Sequence, residues 1–119
     1  MPQLIEVPTR IPVPGGKQID EYVGRANTGT EALSVAHMTA PGGWEEPAQT
    51  PQFDEITLVL RGLVRVEHDG GHLDVGAGQA VITQAGETVR YTTPGEDGAE
   101  YVAICVPAFS PELAARLEA

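Results

Sequence analysis

Cysteine is nearly absent: Cys105 stands alone, so no internal disulfide can form. Positive charge is scarce too, with 7 basic against 17 acidic residues and a formal balance of −10. That balance excludes a surface that neutralises nucleic-acid phosphates and one that docks on anionic lipid. No run approaches the roughly 18 apolar residues of a membrane span. The first ten residues, MPQLIEVPTR, show neither the charged nor the apolar region of a secretion signal. A cytoplasmic, soluble protein is the expectation, with Cys105 a buried inert thiol inside the apolar run YVAICV.

What is plentiful is glycine, 14 residues, and proline, 10. They punctuate short β-branched runs: 33–38, 55–60, 63–68, 72–75, 80–83, 88–93 and 101–106, each of which reads as a strand. Turn signals at Pro41-Gly42-Gly43, Asp69-Gly70-Gly71, Gly76-Ala77-Gly78 and Pro94-Gly95 separate them. The stretch VRVEHDGGHLDV predicts a hairpin about Asp69-Gly70, with Val66 opposite Leu73 and Val64 opposite Val75. Arg65, Glu67 and Asp74 then take the other face. The pattern is all-β, a sandwich or barrel in one domain. Residues 1–30 read as an N-terminal arm with one edge strand near IEV or EYVG, 31–108 as the barrel, and 109–119 as a short C-terminal helix. Ser110 caps that helix, Pro111 suits its first position, and Leu113 and Leu117 share a face.

Two glycine-framed segments carry a more specific signal. Gly43, Gln49, Pro51, Glu55 and Gly62 stand at one fixed spacing, and Gly78, Gln84, Gly86, Val89 and Thr93 at another. These segments resemble the two motifs of the cupins, the double-stranded β-helix or jelly-roll proteins, over about residues 30–108. Within that family the general look is similar to small bacterial members of the ethanolamine-utilisation type. The resemblance implies a barrel, a homodimer, and metal ligands where this chain has Gln49, Pro51, Glu55 and Val89. Glu55 alone of the four matches, so no metal and no other cofactor is expected.

Alternation from Glu55 puts Thr57 and Val59 on its face, and the resemblance turns that face, with Val89, Tyr91 and Thr93 opposite, into the barrel. A buried carboxyl without a cation has its pKa raised by desolvation, which suits proton transfer near neutrality. The expected catalytic residues are therefore Glu55, His37 and Tyr91. Gln49, Trp44, Thr57, Val59, Val89 and Gln84 are the expected binding residues; Glu45 and Glu46 are expected in solvent, as are His68 and His72. Outward Ile56, Leu58 and Leu60 imply that a second subunit or the N-terminal segment covers one face. Three readings stay open. The first is a metal-independent cupin binding a small organic molecule, with a lyase, isomerase or cyclase step rather than a redox one. The second is a non-catalytic binding or structural module, and the third a metal-dependent oxygenase using His37 and Glu55.

Overall fold

A computed structural model describes residues 1–114. Among these described residues nine antiparallel strands and one short helix follow in order: β1 (Thr9–Ile11), β2 (Gln18–Val23), β3 (Ser34–Ala40), β4 (Trp44–Glu45), β5 (Asp54–His68), β6 (Gly71–Gly76), β7 (Ala80–Thr83), β8 (Arg90–Thr93), β9 (Ala99–Val106) and α1 (Pro111–Ala114). β5 is the spine. Its first half pairs with β7 and β9, and beyond β9 lie β3, β2 and β1. Its second half pairs with β6 and β8, and β8 with β4. One curled sheet thus closes on itself as a jelly roll, with β5 turning the corner between two packed faces.

The corner is a β-bulge. Val59 pairs with Tyr101 and Arg61 with Glu100, so Leu60 is an extra residue on the β5 side. An extra residue reverses the alternation. Glu55, Thr57 and Val59 are buried before it, and Val64 and Val66 after it. The sequence suggested two separate strands here; the structure joins them, because Gly62 adopts a φ of 80° and carries the chain round the bend.

The hairpin has the expected register, Val64 facing Val75 and Val66 facing Leu73. Its outer face is charged: Arg65 bonds Asp74 at 2.8 Å, and Arg90 bonds Glu67 at 2.9 Å. Leu73 shares the inner side, yet lies near the rim and stays exposed. At the N-terminus two strands form instead of one, and IEV belongs to neither; β2 finds a partner in β3, a pairing that local pattern does not reveal. The Ser110 hydroxyl accepts from the Leu113 amide, as a cap should. Leu117 lies outside the described residues.

Candidate functional site

The interior of the first half-sheet is built in rows. Cross-strand pairing aligns Ser34, Cys105, Glu55 and Thr83 in one row, then Ala36, Ala103, Thr57 and Val81 in the next, then Met38, Tyr101 and Val59. The middle row is small. Two alanine methyl groups and a threonine cannot fill the width that Tyr101 and Glu55 span on either side. A cavity results, with about 50 Å³ of room for water-molecule centres, lined by Glu55, Tyr91, Tyr101, Gln49, Ala103 and Cys105 among others. That room holds a few waters or a small ligand fragment.

Glu55 is 8% exposed. Burial strips water from its carboxyl and pushes its pKa up from 4.5 to about 7. The positive charge of Lys17 opposes the rise, the negative charge of Glu46 adds to it, and hydrogen bonds from Thr57 and Cys105 hold it down. The Thr57 hydroxyl donates to Glu55 Oε2 at a long 3.4 Å. A carboxyl poised near neutrality can both take and return a proton in the physiological range. Replacing Lys17 by Met removes this positive charge and should move the Glu55 titration upward, read from its carboxyl carbon resonance; no upward movement would mean that Lys17 does not act on this group.

Tyr91 lines the same cavity, with its hydroxyl 2.8 Å from that of Thr83. Gln49 is buried at the cavity wall, tied through its backbone to Val89 by two 2.9 Å hydrogen bonds. Thr57 is fully buried beside Glu55, to which it donates, and does not itself line the cavity. These sit together as the alternation implied. Val59, Val89 and Trp44 are buried in the adjoining hydrophobic core and are absent from the cavity lining. Trp44 packs beneath Lys17, whose Nζ is 4.2 Å from the ring centre, a cation–π contact.

Two placements are corrected. His37 lies on the outer face of β3, because its neighbours Ala36 and Met38 turn inward to the cavity. Its Nε2 is 2.7 Å from Glu100 on the outside of β9. It cannot serve as the proton partner of Glu55, nor share an ion with it across the sheet. Gln84 is exposed in the turn after β7, where its backbone N–H donates to Glu87, so it is no rim residue of this cavity.

Glu46 is a third correction, buried to 7% where a solvated side chain was expected. The alternation that buries Trp44 and exposes Glu45 carries Glu46 inward, and that signal was present in the sequence. Sequence reasoning also passed over Lys17, Tyr101 and Glu21. Glu21 is 2% exposed and accepts hydrogen bonds from the amides of Ala26 and Asn27, at 2.9 and 3.1 Å. Cys105 is buried against Glu55, and burial pushes its thiol pKa up, away from nucleophilic use.

The family's metal-ligand positions hold Gln49, Pro51, Glu55 and Val89, which supply one carboxylate and one amide. Transition metals are held by several imidazole, thiolate or carboxylate donors. Among the described residues, no group of three or more His, Cys, Asp or Glu side chains is placed to hold an ion. This donor set does not fit a metal.

Residues 36–105 match the family model of the cupin domain, more than half of the chain. The chain belongs to the cupins. A curated relative, "Endoribonuclease YbeY" of Myxococcus xanthus (strain DK1622), is 44% identical over 104 residues. The match takes in 87% of this cupin but 35% of the relative, so the chain spans about a third of that protein's length. Among solved structures, ethanolamine utilization protein Q of Salmonella typhimurium LT2 superposes with a TM-score of 0.62 at 20% identity, over 78% of this cupin and 71% of the other chain. A variant of Streptomyces PAC13 with uridine gives 0.77 at 13% identity, over 99% and 90%. At such identities these structures share the fold.

Proposed function

We propose that this cupin binds a small organic molecule in its barrel cavity without a metal or other cofactor, and that Glu55 moves a proton on it. The reaction class is a lyase, isomerase or cyclase step, which needs proton movement and no redox partner. One observation carries this reading: a buried carboxyl, its pKa pushed up to about 7 by desolvation, lines a cavity whose floor is kept open by Ala36 and Ala103. Glu55 acts as base or acid, Thr57 orients it from behind, Gln49 at the wall orients the ligand, and Tyr91, already bonded to Thr83, shapes the wall. That PAC13 has been solved with uridine supports a small-molecule ligand for this barrel. The name of the Myxococcus relative speaks of RNA cleavage; a balance of −10 argues against phosphate neutralisation by this segment.

The test is Glu55→Gln against candidate substrates. General acid–base catalysis contributes about 10²- to 10⁴-fold, so kcat should fall by that factor. Unchanged turnover would take Glu55 out of the mechanism. Ligand binding that survives with altered affinity, and no turnover in either protein, would favour the non-catalytic module instead.

No helix among the described residues is long and apolar enough to cross a membrane. A cytoplasmic location fits the single buried cysteine. A homodimer is supported by the outer face of the first half-sheet. There Ile82, Ile56 and Ile104 form one cross-strand row, and Leu58 and Val102 the next, with Ile82 67% and Leu58 40% exposed. Leu58→Asp should convert a dimer to a monomer in analytical ultracentrifugation without changing the circular dichroism; a wild-type protein that sediments only as a monomer removes the dimer.

A further inference from the structure

The barrel lining holds a further polar group at the same cavity. Tyr101 stands on β9 opposite Val59, two rows along from the Glu55–Cys105 pair. Those rows are four residue steps apart along the strand, about 13 Å between backbones, and the row between them holds Ala36, Ala103, Thr57 and Val81. Tyr101 is 2% exposed and lines the cavity, and among the described residues its Oη has no hydrogen-bond partner. Buried hydroxyls are rarely left so, because an unmet donor forfeits its hydration. The other tyrosine of the cavity is already committed to Thr83.

We propose that Tyr101 donates a hydrogen bond to a carbonyl oxygen of the ligand, so that the cavity takes a small neutral carbonyl compound whose α-carbon faces Glu55. This rests on the proton-transfer reading of Glu55 and names its substrate class. Burial, and after it the nearby carboxyls of Glu46 and Glu55, keep the proton on the Tyr101 hydroxyl. The largely apolar lining of the cavity favours a neutral ketone or enone over a carboxylate. Lys17, whose Nζ lies 5.4 Å from the Tyr101 ring centre, offsets the negative charge that builds on the oxygen during the step. In the step, Glu55 takes the α-hydrogen as a proton. The C–H pair becomes a C=C bond, and the carbonyl π pair moves to the oxygen held by Tyr101. In a saturated ketone the oxygen pair re-forms the C=O bond and the α-carbon takes the proton back, which is exchange. Where a C=C bond stands β,γ to the carbonyl, the γ-carbon takes the proton from Glu55 and the C=C bond ends in conjugation with the re-formed C=O. An isomerisation is then complete, with atoms and electrons conserved.

Cyclopentanone is a suitable probe, with methylenecyclopentane as a control of the same shape lacking the acceptor. Amide NMR titration should show the ketone perturbing cavity residues, with at least tenfold weaker binding to Tyr101→Phe and no such difference for the hydrocarbon. Equal affinity of both proteins for the ketone, or no binding at all, overturns the proposal. Ligand-free Tyr101→Phe should melt about 4 °C higher, because an unmet buried donor is gone; a lower melting temperature would show that the hydroxyl has a partner in the protein, and overturns it too. Deuterium exchange at the ketone α-carbon, compared between wild type and Glu55→Gln, separates the two readings. Exchange lost in Glu55→Gln alongside Tyr101-independent binding sinks the Tyr101 role alone. Tyr101-dependent binding with Glu55-independent exchange supports the ligand class and sinks the proton transfer.

Discussion

Glu55→Gln should raise the unfolding free energy by about 3 kcal/mol at pH 8 and leave it nearly unchanged at pH 4. The reason is the carboxyl's position, buried among small and apolar side chains, with a pKa raised from 4.5 to about 7. In the unfolded chain it ionises near 4.5, so between that pH and 7 the folded protein binds the extra proton. Stability therefore falls as pH rises through this window, and each pKa unit is worth about 1.4 kcal/mol. Below pH 4 both states are protonated, and glutamine, neutral and of similar shape, changes little. Above pH 7 the folded protein carries a desolvated charge that the variant lacks. Urea titrations at several pH values give the difference curve directly. The exposed pairs Arg65–Asp74 and Arg90–Glu67 titrate alike in both proteins and cancel. A flat difference curve would mean that Glu55 is solvated or neutralised by an ion, and the proposed chemistry would lose its basis. A variant both more stable and less active is the expected signature of a group held for function at a cost to the fold.

How far such a site can be foreseen depends on which interactions are local. The inward face of Glu55, Thr57 and Val59 follows from a two-residue period, and the hairpin register from Asp69-Gly70, since both are settled within a few residues. The face of His37 is not. In LSVAHM either parity mixes polar with apolar residues, and only the pairing with β9, more than sixty residues away, decides it. Lys17 and Glu21 reach the cavity for the same kind of reason, through β2 lying against β3. The small floor of Ala36 and Ala103 is equally non-local, because each alanine is unremarkable until the sheet sets them side by side. Glu46 differs: one further step of the alternation that places Trp44 would have found it.

Gly62→Ala should cost about 3 kcal/mol or more, a large share of the 5–15 kcal/mol that holds a small domain folded. Gly62 has a φ of 80°, where an L side chain costs about 1–2 kcal/mol. Its surroundings add a second penalty. A methyl at Gly62 would sit 2.1 Å from the Gly98 carbonyl oxygen and 2.9 Å from the Ala99 Cα, both main-chain atoms that cannot swing aside. Relief requires β5 to draw away from the start of β9, at the bulge that reverses the alternation between Val59 and Val64. The strain thus falls on the element that presents Glu55 and Val64 to one interior. Gly70→Ala is the control: its φ of 94° is also left-handed, but nothing lies within 4 Å of the added methyl, so about 1 kcal/mol is expected. Comparable urea midpoints for the two variants would show that the bend tolerates displacement. A loss confined to Gly62→Ala locates the rigidity at the point where one strand serves both halves of the barrel.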